Sequence, residues 1–226
     1  MPAPDLLPRI VRPDGLGYDP DLACRHLSDV DPAMGRLIAR VGGFSMRPEP
    51  THSLFQVLVR SIVYQQLTGK AAATILGRVA RLFAPKRFPT ARDLLEIPPE
   101  RLRAAGLSTA KTAALKDLAA RALDGTVPSL SRVRLMADEE IVEHLTAVRG
   151  IGRWTVEMLL IFKLGRPDVL PLGDLGVRKG FALTLGKRKL PEAAAMSRRA
   201  ERWRPYRSVA SWYLWRALDL QPEEPT

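Results

Sequence analysis

Apolar residues along most of the chain recur at intervals of three and four positions, the spacing of one helix face. The clearest example predicts a helix whose buried face is formed by Leu54, Phe55, Leu58, Val59, Ile62 and Val63. Sustained alternation of apolar and polar residues, which is typical of strands, does not occur. The pattern therefore predicts an all-α protein.

The predicted helices are bounded by residues that commonly cap helix ends. Asp31 followed by Pro32 predicts a helix start, and Gly42 with Gly43 predicts the end of that helix. Side-chain oxygens that can accept the first free N–H groups predict further starts at Ser53, Thr68, Thr90, Ser108 and Asp138. Helices therefore follow one another along most of the chain.

Proline and glycine mark two irregular segments. Residues 1–20 are rich in both and predict an extended N-terminal arm, whereas residues 21–226 predict a single helical domain. The longest irregular stretch inside that domain is GRPDVLPLGD, residues 165–174. We expect it to separate two lobes with a cleft between them: lobe A at about 50–165, and lobe B at about 21–49 plus 166–226.

Charge narrows the choice of partner. Lys and Arg number 35 against 24 Asp and Glu, which gives a net charge of +11. This excess favours a polyanion, with nucleic acid first and an anionic membrane surface second. A soluble protein that is basic without such a partner remains an alternative, and charge alone does not decide between them.

Cysteine content and apolar runs exclude other classes. Cys24 is the only cysteine, which rules out an intramolecular disulfide and any zinc or iron–sulfur site built from four cysteines. The N-terminal residues lack the apolar core of a signal peptide, and no apolar run reaches membrane-spanning length. We therefore expect a cytoplasmic protein that is not embedded in a membrane.

The segment LTAVRGIGRWTVEML, which starts at Leu145, predicts two helices joined by a turn with two glycines, Gly150 and Gly152. The start of the second helix leaves backbone N–H groups without partners, and glycines let a ligand approach closely. Such a helix start binds anions, so a DNA phosphate fits it, with charge from Arg149 and Arg153. The hydroxyl of Thr155 adds a further donor. The alternative is an ordinary helix connection with glycine at the C-terminal cap.

Three further motifs accompany this hairpin pattern in a fixed order. The segment SIVYQQLTGKAA precedes the hairpin, and LPLGDLGVRKGF and ERWRPYRSVASWYLW follow it. Together they resemble the HhH-GPD superfamily of DNA base-excision glycosylases over residues 21–220, and within it the AlkA-like 3-methyladenine DNA glycosylase II group. The resemblance implies an all-α fold of two helical lobes, with a helix-hairpin-helix motif and a DNA-binding cleft between the lobes.

The resemblance also implies a catalytic aspartate, since that superfamily carries one after the hairpin and Asp174 stands there. A carboxylate beside the deoxyribose stabilises the positive charge that develops as the N-glycosidic bond breaks. The alternative role for Asp174 is an N-terminal helix cap, and both roles are compatible.

Branches that also cleave the strand carry a lysine where this chain has Trp154, so the resemblance implies hydrolysis without AP lyase activity. Lys163 is too far along the helix to replace that lysine.

The matching positions of the AlkA-like branch imply a pocket for the flipped base. Its predicted walls are Trp154, Trp215, Tyr64 and Met158. Aromatic walls suit electron-poor, often cationic alkylated purines. Trp154 packed in the core is the alternative, and Met158 stands where some relatives carry tyrosine, which makes one wall flexible.

The family pattern also implies a wedge that fills the gap left by the flipped base, at Gln65, Gln66 and Leu67. The sequence does not choose between Gln66 and Leu67 as the residue that fills the gap, and an ordinary helix end remains the alternative.

By resemblance alone, the hairpin holds a structural Na⁺ or K⁺ through the backbone carbonyls of Thr146, Val148 and Ile151. No cofactor is expected for catalysis.

The function implied is a monomeric, monofunctional glycosylase that removes 3-methyladenine-like bases from double-stranded DNA in base excision repair. Two alternatives stay open: a non-catalytic helix-hairpin-helix protein that binds DNA, and a glycosylase for oxidised or mismatched bases. Asp174 and the aromatic residues argue against the first, whereas Trp154 and the single cysteine argue against lyase types and iron–sulfur types of the second.

Overall fold

The structure is a computed structural model that describes residues 15–220. This part of the chain contains thirteen α-helices and no strand. The helices are α1 (Pro20–Val30), α2 (Pro32–Val41), α3 (Leu54–Tyr64), α4 (Gly69–Arg81), α5 (Ala91–Glu96), α6 (Pro99–Ala104), α7 (Thr109–Leu123), α8 (Leu130–Leu135), α9 (Asp138–Thr146), α10 (Arg153–Phe162), α11 (Leu175–Thr184), α12 (Ala193–Ala200) and α13 (Arg207–Asp219). The all-α prediction is confirmed.

The helices form two compact units. Unit 1 contains the described residues up to Pro50 and those from Glu157 onward, and unit 2 is Thr51–Val156. The boundary between them falls inside α10, before the irregular stretch 165–174 that the sequence interpretation took as the separator. That stretch belongs to unit 1 because the N-terminal half of α13 binds it through several hydrogen bonds.

Unit 1 contains α1, α2, the part of α10 from Glu157 onward, α11, α12 and α13. The buried side chains at its centre include Leu27, Met34, Phe181, Trp203 and Tyr213. Helices α11 and α13 approach so closely that a Cβ placed on Gly180 meets the Leu214 carbonyl oxygen at 1.9 Å. Of the predicted arm, residues 1–14 lie outside the described part of the chain, while Leu16 and Tyr18 are buried.

Asp31 joins several elements of unit 1 in one place. It ends α1 and caps α2, where its carboxylate accepts the backbone N–H of Ala33 at 3.1 Å. The same fully buried carboxylate accepts hydrogen bonds from the Arg199 guanidinium at 2.7 and 3.0 Å and from the Trp203 indole at 3.0 Å. The predicted cap is confirmed, and it also anchors α12.

Unit 2 contains α3 to α9 and the first turn of α10. Its core includes Leu58, Ile62, Leu94, Leu115 and Leu118, all fully buried. The predicted face of α3 is buried except for Phe55, which is half-buried. Four of the predicted caps are confirmed: the side chains of Ser53, Thr68, Thr90 and Ser108 each accept a backbone N–H of the first turn. The predicted cap at Asp138 is wrong, because Ala137 occupies the cap position and Asp138 is already the first residue of α9.

No helix in residues 15–220 is both long enough and apolar enough to span a membrane.

Candidate active site

Asp174 lies at the end of the irregular stretch and caps α11. Its Oδ1 accepts the backbone N–H of Val177 at 2.7 Å, which is the hydrogen bond of an N-terminal cap. The start of a helix carries partial positive charge, so this position stabilises a carboxylate. The predicted cap is confirmed, and the carboxyl group is only partly buried.

Trp215 holds the same oxygen from α13. Its indole N–H donates to Asp174 Oδ1 at 2.8 Å, so two N–H groups converge on one carboxylate oxygen. Gly176 makes this approach possible, because a Cβ there would lie 2.8 Å from Trp215 Cδ1 and 3.1 Å from Asp174 Oδ1. The carboxylate, the indole ring and Gly176 form one tightly fitted cluster, which we call the aspartate cluster.

Phe162 adds a second aromatic ring beside Trp215. The two ring centroids are 5.5 Å apart and the planes are tilted by 31°. The sequence interpretation did not select Phe162, which is the last residue of α10 and has the spacing of an ordinary core residue. Met158, one helical turn earlier, is half-buried in the same unit.

The predicted hairpin is present in unit 2, between α9 and α10. The turn is closed by hydrogen bonds from Val148 N–H to the Leu145 carbonyl at 3.2 Å and from Ile151 N–H to the Val148 carbonyl at 3.0 Å. Val148 and Ile151 are buried, whereas Gly150 and Gly152 are exposed. The apolar side chains thus anchor the turn and leave its glycines at the surface.

The charged residues of the hairpin have partners within unit 2. Arg153 forms a two-point salt bridge with Glu139 of α9 at 2.7 and 2.8 Å, and the pKa of Glu139 is lowered by this bond. The backbone N–H of Arg149 donates to the Asp117 carboxylate at 2.7 Å, while the Arg149 residue is exposed. Thr155 is half-buried, and its N–H donates to the Gly152 carbonyl at 3.0 Å.

The predicted wedge lies at the end of α3 and is linked to the hairpin. The Gln65 amide donates to the Gly150 carbonyl at 2.8 Å, although the two residues are far apart in sequence. Lys111 of α7 donates to the carbonyls of Val63 and Gln65 at 2.8 and 2.6 Å and so caps α3. Gln66 and Leu67 are exposed.

Gln66 adopts φ +57°, which few residues other than glycine do. This conformation occurs at an exposed junction, since both Gln66 and Leu67 are at the surface.

The remaining predicted pocket residues are in unit 2. Trp154 is 51% exposed, so the alternative of a core tryptophan does not hold. Tyr64 is half-buried, and the Arg60 guanidinium lies 4.4 Å from the centre of its ring, a cation–π contact. Two further tryptophans, Trp203 and Trp212, are buried in unit 1.

The residues predicted to hold a monovalent cation would bind it through main-chain carbonyl oxygens. Carbonyl oxygens bind alkali cations, and each has two lone pairs, so the Val148 carbonyl can accept the Ile151 N–H and still face an ion. The donor chemistry of Thr146, Val148 and Ile151 therefore fits Na⁺ or K⁺. Within residues 15–220, no group of three or more His, Cys, Asp or Glu side chains is arranged to hold a metal.

The fold and these clusters define a helix-hairpin-helix protein with a capped carboxylate beside aromatic rings. The family model of the HhH-GPD superfamily base excision DNA repair proteins matches residues 59–205. The chain belongs to this superfamily, and the family prediction is confirmed.

Two curated relatives cover most of the chain. DNA-3-methyladenine glycosylase 1 of Schizosaccharomyces pombe is 36% identical over 200 residues, which span 86% of each protein. DNA-3-methyladenine glycosylase 2 of Escherichia coli is 31% identical over 90% of this chain and 71% of the relative.

Two solved structures of proteins with the same type of name are similar to this chain over most of its length. The S. pombe 3-methyladenine DNA glycosylase in complex with abasic DNA superimposes with a TM-score of 0.75 at 36% identity, covering 88% of this chain and 97% of that one. DNA-3-methyladenine glycosidase from Bacillus halodurans gives a TM-score of 0.79 at 32% identity, covering 88% and 89%.

Proposed function

We propose that this protein is a monofunctional DNA glycosylase that removes alkylated bases, of the 3-methyladenine kind, from double-stranded DNA in base excision repair. The observation that carries the proposal is Asp174, a carboxylate at a helix start that accepts 2.7 and 2.8 Å hydrogen bonds from Val177 and Trp215. The names of the relatives, which are 3-methyladenine glycosylases, support the class of base.

The Asp174 carboxylate suits the chemistry of N-glycosidic bond hydrolysis. As the bond breaks, positive charge develops on the deoxyribose, and a fixed negative charge beside it lowers the barrier. The base departs with the bonding electron pair, and water adds to the sugar carbon and gives up a proton to the Asp174 carboxylate or to solvent. A carboxylate that is already oriented by two N–H donors needs little reorganisation during this step.

The residues at the start of α10 and just after its end support hydrolysis without strand cleavage. The family position for an attacking lysine is occupied by Trp154, whose indole nitrogen is not a nucleophile. Lys163, the first lysine after the hairpin, forms an ion pair with Glu49 in unit 1. Its ammonium group is therefore engaged by a carboxylate.

Aromatic side chains support the choice of an electron-poor base. Trp215 with Phe162 in unit 1, and Trp154 in unit 2, offer ring faces for stacking on a cationic purine. Such a purine is also a good leaving group, so modest catalytic help from one carboxylate suffices. Met158 and Tyr64 are proposed to complete the set of residues that contact the base, as the sequence predicts.

The hairpin and the α3–α4 junction are proposed to hold the DNA. The exposed Gly150 and Gly152 allow a phosphate close to the start of α10, with Arg149 and Thr155 nearby in sequence. Gln66 and Leu67 are exposed and suit insertion between bases. A Na⁺ or K⁺ ion on the carbonyls of the hairpin turn would add positive charge for that phosphate, and the protein is proposed to act as a monomer.

A product assay tests the function directly. Purified protein is incubated with methylated duplex DNA and with duplexes that contain one ethenoadenine, hypoxanthine or 8-oxoguanine, and the free bases are separated by chromatography. We expect release of 3-methyladenine, with the strand intact until alkali is added. Release of 8-oxoguanine alone would favour an enzyme for oxidised bases, and DNA binding without release of any base would favour a non-catalytic protein.

The same reactions, stopped with borohydride, test the absence of lyase activity. A Schiff base between a lysine and the sugar is reduced to a permanent protein–DNA adduct, whereas simple hydrolysis leaves none. We expect no adduct on denaturing gels under conditions that trap a lyase-type glycosylase used as a positive control. An adduct would contradict the monofunctional assignment.

A further inference from the structure

The irregular stretch 165–174 is bound along one side of α13. Arg207, Ser211 and Trp215 are spaced four residues apart and so lie on the same side of that helix, with Ser208 beside them. Each of these four side chains makes a hydrogen bond to a residue between Asp168 and Asp174. The stretch therefore follows the helix from its N-terminal turn to the aspartate cluster.

The first attachment is a salt bridge between Asp168 and Arg207. Arg207 Nε donates to Asp168 Oδ1 at 2.6 Å, and the terminal nitrogen Nη2 donates to Oδ2 at 3.0 Å and to the Asp168 carbonyl at 3.1 Å. The side chain of Asp168 is only 21% exposed and that of Arg207 only 14%. Two-point guanidinium–carboxylate pairs of this kind are strong and directional.

Other residues form hydrogen bonds with the same end of the stretch. Arg204 donates to Asp168 Oδ2 at 2.5 Å, and the backbone N–H of Ser208 donates to the Pro167 carbonyl at 2.9 Å. The hydroxyl of Ser208 accepts the Val169 N–H at 2.9 Å, at a fully buried position. The backbone on both sides of Asp168 is thus fixed by neutral as well as ionic contacts.

The segment between this attachment and Asp174 is short and internally bonded. Leu172 N–H donates to the Leu170 carbonyl at 2.9 Å, and Asp174 N–H donates to the Pro171 carbonyl at 3.0 Å. Pro171 has a fixed φ angle, which removes further freedom. Because these contacts restrict the segment, we expect a displacement at Asp168 to reach Asp174.

We propose that Asp168 and Arg207 are positioning residues for base excision, which set the place at which the Asp174 carboxylate meets the Trp215 indole. This inference rests on the proposed function, in which Asp174 is the catalytic residue. Neither positioning residue contacts the DNA base in this account. Their effect is on the rate of bond cleavage, since misplacing a reacting group by about 1 Å costs up to about a hundredfold in rate.

Asp168→Asn is the test variant, because it keeps the shape of the side chain and removes its charge. Asp219→Asn is the matched control: Asp219 lies on α13, as Arg207 does, and pairs with Arg216 at 3.0 Å, but both of these side chains are well exposed. The measurements are the single-turnover rate of base release, the dissociation constant for a duplex with an abasic-site analogue, and the melting temperature.

We expect Asp168→Asn to lower the excision rate by about tenfold to a hundredfold. We expect its affinity for the abasic duplex to stay within about twofold of the wild-type value, and Asp219→Asn to match wild type in rate. A purely structural salt bridge would lower the melting temperature of Asp168→Asn and leave its rate unchanged below that temperature. That result would overturn the proposal.

Two further arms keep the test decisive. If Asp168→Asn does not fold, Ser208→Ala removes the hydroxyl that holds Val169 and is expected to lower the rate in the same way; a normal rate would overturn the proposal. The double variant Asp168→Asn with Trp215→Phe is expected to be little slower than the slower single variant, since both disturb the same carboxylate. Multiplied losses would mean that the two residues act independently.

A third arm separates this inference from the proposed function. An inactive Asp174→Asn together with a normal Asp168→Asn overturns only the positioning role. An active Asp174→Asn overturns the proposed function itself.

Discussion

The indole N–H of Trp215 and the backbone N–H of Val177 donate to the same oxygen of Asp174, at 2.8 and 2.7 Å. One donor comes from α13 and the other from the first turn of α11, so the carboxylate is fixed by two elements that pack on each other. The arrangement combines a helix cap, which aspartate at the N-cap position commonly forms, with a side-chain bond specific to this site.

Trp215→Phe removes the indole donor while keeping an aromatic ring. We expect the single-turnover excision rate to fall by about tenfold, which corresponds to about 1.4 kcal/mol and to the loss of one hydrogen bond to a charged group. Trp212→Phe is the control, since Trp212 lies on the same helix and packs against Phe44 and Tyr213. That variant is expected to lose stability but keep its rate; equal rates for both variants would contradict the role of the indole N–H.

Gly176→Ala places a methyl group against the aspartate cluster. The Cβ would lie 2.8 Å from Trp215 Cδ1, so the indole or the carboxylate must move. We expect a loss of excision rate of about tenfold or more. Gly173→Ala is the matched control in the same stretch, since a Cβ at Gly173 meets nothing within 4 Å. Normal rates for Gly176→Ala would show that the fit of the cluster is unimportant for catalysis.

Alanine substitutions at the two hairpin glycines are predicted to have different effects, one on stability and the other on DNA binding. Gly150 has φ +79° and its Cβ would lie 3.4 Å from Ala114 Cβ, so Gly150→Ala is expected to cost about 1–2 kcal/mol of stability. Gly152 lies outside the left-handed region and a Cβ there meets nothing within 4 Å. Gly152→Ala is therefore expected to keep its melting temperature and to weaken DNA binding, because the methyl group blocks a phosphate.

Urea unfolding measures the stability of both variants, and fluorescence anisotropy with a labelled duplex measures their affinity for DNA. Unchanged DNA affinity of Gly152→Ala would argue against close approach of the phosphate at that residue.

Asp31 is predicted to make stability depend on pH. Burial acts to raise its pKa, but the hydrogen bonds from Arg199 and Trp203 outweigh burial and hold the pKa below its ordinary value. A lowered pKa in the folded state means that the stabilisation is fully present above the unfolded-state pKa of about 4 and is lost as pH falls further. We expect Asp31→Asn to lower the free energy of unfolding by about 2–3 kcal/mol at pH 7.

The difference between wild type and Asp31→Asn is the quantity to measure, by urea unfolding at pH 7 and pH 3. It is expected to shrink at pH 3, where the wild-type carboxylate is protonated in the unfolded chain. A difference that stays constant between the two pH values would show that the charge of Asp31 does not contribute.

The helix boundaries were predictable because capping is local. Asp31, Thr68 and Thr90 each accept a backbone N–H two or three residues further on, so both partners stand in one short window of sequence. Asp174 was predicted as a cap on the same grounds. Its catalytic assignment came from the resemblance, since a cap alone does not distinguish a functional carboxylate from a structural one.

The contacts that organise the site were not predictable from local sequence. Trp215 and Asp174 are 41 residues apart, and Gln65 and Gly150 are 85 apart, so no window of sequence contains both partners. The stretch 165–174 resembles a linker because it is rich in proline and glycine. It is attached to α13 through Asp168, whose partner Arg207 is 39 residues away.

In the proposed mechanism, the negative charge of Asp174 drives base release. Asp174→Asn keeps the shape of the residue, and asparagine is as good a helix cap as aspartate, so we expect stability within about 0.5 kcal/mol of wild type. Abasic duplex DNA is expected to bind normally, which confirms folding of the DNA-binding parts.

The deciding measurement is the single-turnover rate of 3-methyladenine release from methylated duplex DNA by wild type and by Asp174→Asn. We expect a loss of at least about a hundredfold in the variant, since the transition-state charge loses its fixed counter-charge. A variant that is folded, binds DNA and releases the base at close to the wild-type rate would contradict the catalytic role of Asp174.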